Sequence, residues 1–166
     1  MSIDIFKRLG LFILLAMVQV LILNHIRLFN VATPFLFVYF TITFRRNTPK
    51  WIMLLWSFSL GLCVDVFSNT PGLAAGALTL VSMIQPYLFE LLIPRNSTEE
   101  LECSASSLGM GKFILLSFIL LLIFSLCFFA LEAFTFSNWR YWLICAGCST
   151  VLTLLFILAI ESIRTK

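Results

Sequence analysis

Six apolar runs dominate this sequence, and they limit the solvent in which the chain can fold. They cover residues 9–23, 28–44, 51–67, 72–93, 113–134 and 139–160. A helix that crosses the hydrocarbon core of a bilayer needs about 20 mostly apolar residues. Because 61% of the residues are apolar and only 11% are charged, the chain cannot cover a water-soluble surface with polar groups. The sequence predicts an all-α integral membrane protein with six transmembrane helices in one bundle.

The basic residues predict the orientation of these helices, because Lys and Arg accumulate on the cytoplasmic side of a membrane. With six crossings, nine of the 11 Lys and Arg lie on the side of the two termini, and only Arg27 and Arg140 lie opposite. We therefore expect both termini in the cytoplasm and a cytoplasmic loop at 94–112. The net charge of +3 is too small and too scattered for a nucleic-acid interface.

Residues suited to catalysis or to metal binding are few. His25 is the only histidine, and no nucleophile and base stand at a recognisable spacing. Cys145 and Cys148 form a C-x-x-C inside an apolar run, where small polarizable side chains serve packing. We expect no enzyme activity, no metal and no cofactor.

Asp65 lies within the third apolar run, where a carboxylate is costly and faces the protein interior or water. One interpretation is structural: Asp65 ties the outer ends of the third and fourth helices, with Ser68 and Asn69 as hydrogen-bond partners. The other interpretation is a binding or proton-handling role. The structural interpretation is favoured.

Glycines recur at a spacing of four residues near Asp65. Gly61 lies one turn before it, and Gly72 and Gly76 begin the fourth helix. Small residues at this spacing allow close approach of helix backbones in lipid. The face that continues from Gly76 through Met83 predicts either an internal helix seam or a surface for a partner helix, and we favour the seam.

Pro34 lies inside the second apolar run, where it removes a helical hydrogen-bond donor and disfavours helix at Thr33. The sequence therefore predicts a break or a kink there. Arg45 and Arg46 form a basic patch at the cytoplasmic end of the same run.

Together these features resemble the family of the rod shape-determining protein MreD. The resemblance rests on Pro34, the Arg45-Arg46 patch, and the segment Gly61-Leu-Cys-Val-Asp65-Val-Phe with Gly72 after the turn. It implies a cytoplasmic (inner) membrane component of the bacterial cell-elongation complex, without catalytic activity. Such a protein binds MreC, and through it the actin-like MreB and the synthases of lateral peptidoglycan. The implied fold is similar to the six-helix substrate-binding subunits of energy-coupling-factor transporters.

Two functions from different classes follow. The first is a non-enzymatic scaffold for wall synthesis, and the alternative is a membrane subunit that binds a small molecule such as a vitamin. A vitamin site needs several convergent polar groups in a concave pocket. The outer side of the chain offers scattered polar residues without a clear cluster, namely Asn24, His25, Arg27, Asn30, Asp65 and Asn69. This scatter favours the scaffold.

Overall fold

A computed structural model describes residues 2–23, 33–46, 48–70, 72–93, 108–133 and 139–164. Within these residues the chain forms six α-helices. They are α1 (Ser2–Leu21), α2 (Val38–Ile42), α3 (Lys50–Ser68), α4 (Leu73–Leu92), α5 (Met110–Ala133) and α6 (Trp139–Arg164).

The apolar runs locate four of these helices to within about four residues at either end. The prediction for α1 is wrong at its start, because the helix continues through the charged residues before residue 9. Helix α5 begins at Met110, so the last three residues of the expected 94–112 loop are helical, while 94–107 lies outside the described residues.

The second helix, predicted over 28–44 with a break or a kink at Pro34, is much shorter than predicted in the described part of this run. Thr33, Pro34 and Phe35 are not helical, and only Val38–Ile42 forms an α-helix within the described part of this run. Pro34 has no N–H and disfavours helix at the residue before it, which explains the break. The expected break at Pro34 is thus confirmed.

Helices α3 and α4 form a hairpin with the most extensive packing between any two elements. Helix α5 packs on both α4 and α6, and α1 packs on α3. The short helix α2 contacts α1, α3, α4 and α5, and all five of its residues are buried. A discontinuous segment therefore lies at the centre of the bundle.

Polar and apolar side chains are distributed as in a protein that faces lipid. Buried polar or charged residues occur on every helix, while large apolar side chains such as Val66 and Leu91 are at least three-quarters exposed. Helices α3, α4, α5 and α6 are long and apolar enough to cross a membrane. Helix α1 is about as long as these helices, but it is not one of the four. Its first two turns contain three charged residues, Asp4, Lys7 and Arg8.

Candidate functional site

Asp65 is buried near the C-terminal end of α3 and caps the start of α4. Its Oδ1 accepts hydrogen bonds from Thr70 Oγ1 at 3.0 Å and from the backbone N–H of Ala74 at 2.9 Å. Its Oδ2 accepts the backbone N–H of Ala75 at 2.9 Å. The carboxylate also complements the positive end of the α4 dipole. The hydrogen bonds with Thr70, Ala74 and Ala75 join the ends of α3 and α4, as the structural interpretation requires, although these three bonds come from residues other than the expected Ser68 and Asn69.

The turn between α3 and α4 explains why the cap comes from Asp65 rather than from the residue before α4. Asn69 adopts a left-handed conformation with φ 57°, which ends α3. Gly72 stands at the N-cap of α4 with φ 84° and has no side chain with which to cap. The first turn of a helix leaves four N–H groups without helical partners. Here Asp65 accepts the N–H groups of Ala74 and Ala75, and the Thr70 carbonyl accepts that of Leu73.

Gly61 brings the backbones of α3 and α4 together one turn from Asp65. A Cβ atom at this position would lie 2.7 Å from Ala75 N and 2.9 Å from Ala74 C, closer than real Cβ contacts. The same residues, Ala74 and Ala75, donate to Asp65. Gly61 and Asp65 therefore form one junction, in which the missing side chain of Gly61 sets the helix spacing that the carboxylate requires.

The face of α4 that continues from Gly76 through Met83 is exposed. The preferred interpretation of this face as an internal helix seam is therefore wrong. Gly72, Gly76 and Met83 are exposed, and a Cβ at Gly76 would make only an ordinary 3.7 Å contact with Leu131 Cδ1. The buried polar side chains of α4 are Ser82 and Gln85, which lie beside this face. The close contact that the glycine spacing predicted occurs at Gly61 alone among these three glycines.

The break at Pro34 is stabilised by Gln19, a buried amide on α1. Gln19 Nε2 donates to the Pro34 carbonyl at 3.0 Å, and its Oε1 accepts the Leu36 N–H at 3.1 Å. Non-helical backbone inside a membrane must find such partners, because lipid supplies none. One side chain thus replaces two backbone hydrogen bonds that a continuous helix would make.

Helix α6 accepts hydrogen bonds from two further backbone N–H groups of the broken segment. Ser149 Oγ accepts the Thr33 N–H at 3.1 Å, and Thr153 Oγ1 accepts the Phe35 N–H at 3.0 Å. The two residues are four apart, so both hydroxyls lie on one face of α6. Segment 33–36 is therefore held between α1 and α6 by side chains.

Polar contacts continue along α2. The Tyr39 hydroxyl donates to Glu161 Oε2 at 2.7 Å, and both side chains are buried. Thr41 and Ser57 hydroxyls lie 3.3 Å apart. These contacts attach α2 to α6 and to α3 inside the bundle.

Aromatic side chains fill the space between the broken segment and α5. The Phe35 ring packs against Phe124, Phe128 and Phe129 with centroid distances of 5.1, 4.9 and 6.0 Å. Phe37 packs edge-on against Phe124 at 5.4 Å. The segment that contains Pro34 thus contacts α1, α5 and α6 at the same time.

Sequence reasoning missed the partners of Pro34, although the sequence contains a pattern that marks them. Four polar residues lie within or beside apolar runs, namely Gln19, Ser149, Thr153 and Glu161. In lipid such residues face the protein interior.

The predicted basic patch follows α2: Arg45 is half-buried and Arg46 is exposed. Of the scattered outer residues, those at 24, 25, 27 and 30 lie outside the described residues.

The chemistry of this interior is hydrogen bonding between helices. No group of three His, Cys, Asp or Glu side chains among the described residues is placed to hold a metal ion. In the same part of the chain, Ser117 Oγ is the single buried side-chain nitrogen or oxygen without a hydrogen-bond partner. The polar side chains are thus used to hold the bundle together.

We expect Gln19→Leu to destabilise the protein by about 2–3 kcal/mol, because it leaves the Pro34 carbonyl and the Leu36 N–H without partners in a dry interior. Gln19→Met also removes both hydrogen-bonding groups but keeps an unbranched side chain of similar length, so it separates the loss of the hydrogen bonds from a change of shape. Thermal unfolding of the detergent-purified protein should therefore place both variants below the wild type. Met17→Leu, at an exposed position two residues away on a different face of α1, is the control, and an equal loss in it would contradict the role of Gln19.

Comparison of the chain with profiles of known protein families, with characterised proteins and with solved structures gives no match.

Proposed function

We propose that this protein is a non-enzymatic membrane scaffold of the bacterial cell-elongation complex, which binds an MreC-like protein through its helix surfaces. The observation that carries the proposal is the Gly61–Asp65 junction. Gly61 and Asp65, two of the residues on which the resemblance to the MreD family rests, form one contact between α3 and α4. A motif that fixes helix geometry suits a protein whose task is to present surfaces.

The use of the interior polar groups also supports a scaffold over a vitamin-binding subunit. A small-molecule site needs polar groups that are available to the ligand. Gln19, Ser149 and Thr153 are instead engaged with the backbone of the broken segment, and Asp65 is engaged with the start of α4. These groups hold the helices in place and leave the outer helix surfaces for recognition.

We propose six crossings with both termini in the cytoplasm of a bacterial cell. Four helices satisfy length and composition, and α1 spans about 30 Å at 1.5 Å per residue. Helix α2 is only five residues long, so in this topology its crossing is completed by the non-helical backbone before it. Reporter fusions after Asn69 and after Ser106 should give periplasmic and cytoplasmic signals, respectively. A cytoplasmic signal at Asn69 would contradict the topology.

Depletion of the protein from rod-shaped cells tests the scaffold function directly. Rounded cells with normal growth on unsupplemented medium are the expected result. Unaltered rods that acquire a vitamin requirement would overturn the proposal in favour of the transporter-type alternative. Binding of a vitamin at micromolar affinity by the purified protein would overturn it as well.

We propose the exposed face at Gly76 as the surface for the partner helix. We expect Gly76→Leu to reduce co-purification of the MreC-like protein at least about tenfold, because a bulky side chain prevents close helix approach. Gly147→Leu is the matched control, since Gly147 is also exposed on a helix and has open space around it. Both variants should insert at the wild-type level. Intact partner binding by a well-inserted Gly76→Leu protein would exclude this face.

A further inference from the structure

An exposed basic and aromatic group lies where α3 begins and α4 approaches its end. This group, the α3–α4 edge, consists of Arg46, Lys50, Trp51 and Tyr87. All four side chains are exposed, and Trp51 and Tyr87 are 67% and 54% exposed. Trp and Tyr concentrate at the headgroup level of a membrane, where one part of the ring meets lipid and the other meets water.

Lys50 and Tyr87 give this edge a defined geometry. Lys50 Nζ donates a hydrogen bond to the Tyr87 hydroxyl at 3.0 Å. The same nitrogen lies 4.4 Å from the centroid of the Tyr87 ring. An ammonium has three donors, and this contact with Tyr87 fixes the position of the charge next to the helix surface.

Two exposed apolar stripes lead away from the edge. On α3 the stripe contains Leu55, Phe58 and Leu62. On α4 it contains Met83 and Leu80, which share a face with Gly76, so the lipid tail is assigned to the α3 stripe alone. Their spacing of three and four residues places each set on one helix face.

The length of the α3 stripe matches the depth of one leaflet. Eleven residues separate Trp51 from Leu62, which at 1.5 Å per residue is about 16 Å. The hydrocarbon core of a bilayer is about 30 Å thick, so one acyl chain reaches about half of that depth.

We propose that the α3–α4 edge is a binding site for a phospholipid with an anionic headgroup. The headgroup pairs with Lys50 and Arg46, and an acyl chain lies along the exposed stripe that begins at Trp51. The carboxylate of Glu90 also acts on Lys50, but the two basic residues outnumber it, so the site favours an anion. The stripe that continues from the site selects a ligand with a long apolar tail. A free phosphate would use only the charge, and an acidic protein segment would not extend along a lipid-facing stripe.

Native mass spectrometry of the detergent-purified full chain tests this site. The protein is offered equal concentrations of phosphatidylglycerol and phosphatidylcholine, and the bound lipids are counted. We expect the wild type to retain phosphatidylglycerol in preference by about fivefold or more, since one basic residue near an anionic surface contributes about fivefold to binding. Lys50→Gln should lose about fivefold of this preference, and Lys50→Arg should keep it.

Matched variants separate a local site from general electrostatic attraction. Lys112→Gln removes the same charge from another exposed residue, at the start of α5, and should leave lipid retention unchanged. Arg46→Gln provides an independent test at the edge and should act in the same direction as Lys50→Gln. An equal loss in Lys112→Gln, or no headgroup preference in the wild type, would overturn the proposal.

Competition identifies the source of the anion. Glycerol 3-phosphate carries the charged group without tails and should compete at least about tenfold less well than phosphatidylglycerol. Equal competition would show an anion site that does not use the apolar stripe, and would overturn the lipid assignment. Displacement of phosphatidylglycerol by a polyglutamate peptide would indicate an acidic protein partner and would overturn it too.

Discussion

Asp65→Leu is expected to lower the free energy of unfolding by about 4 kcal/mol. The substitution leaves the N–H groups of Ala74 and Ala75 buried without an acceptor, and each hydrogen bond to a charged group contributes about 1.5–3 kcal/mol. Asp65→Asn keeps one side-chain oxygen, which retains the bonds from Thr70 and Ala74 and loses the bond from Ala75. We expect a loss of about 2 kcal/mol for Asn.

Thermal unfolding in detergent and the amount of protein in the membrane measure both Asp65 variants. Glu132→Leu is the control, because it removes an exposed carboxylate from α5 and should change stability by no more than about 0.5 kcal/mol. Equal stability of Asp65→Leu and the wild type would contradict the capping role. If Asp65→Asn abolished complementation at wild-type abundance and stability, Asp65 would have a functional role beyond the cap.

Gly61→Ala is expected to destabilise the protein by about 3 kcal/mol, although alanine is the better helix former. The added Cβ would overlap the backbone of Ala75, and backbone atoms at a helix start cannot move aside as a flexible side chain does. Overpacking of this kind costs about 1–3 kcal/mol. Separation of the helices would also lengthen the hydrogen bonds from Ala74 and Ala75 to Asp65, which adds to the loss.

Gly10→Ala is the matched control for Gly61→Ala. Gly10 lies within α1, and a Cβ there meets nothing within 4 Å. Alanine in a helix is favoured over glycine by about 1 kcal/mol, so this variant should be as stable as the wild type or more stable. Opposite signs for the two glycines are the expected outcome of the unfolding measurement. A Gly61→Ala protein with wild-type stability would show that α3 and α4 do not require this approach.

The two predictions combine into one measurement of coupling. If Gly61 and Asp65 act on the same junction, the double variant Gly61→Ala with Asp65→Asn should lose less stability than the sum of the single losses, because each change already weakens the same hydrogen bonds. Additive losses would mean that the glycine contact and the cap stabilise the hairpin independently.

The amino-acid sequence by itself determined that the chain is helical and meets lipid, because that conclusion depends on the length of the apolar runs. It located α3 and α4 to within one residue at each end, since polar and turn-forming residues interrupt the runs there. It also predicted the break at Pro34, because a missing N–H and a restricted preceding residue are local properties. The carboxylate of Asp65 could be assigned to the α3–α4 turn for a similar reason: its partners are close in sequence.

Only the tertiary structure decided which residues stabilise the break at Pro34. Gln19 is 15 positions away, and Thr153 is 118 positions from Phe35, so their pairing follows from how α1 and α6 pack around α2. The structure also decided that Gly61, rather than Gly76, makes the close backbone contact. The spacing of glycines is the same on an inner and on an outer helix face, and only the packing of neighbouring helices distinguishes the two.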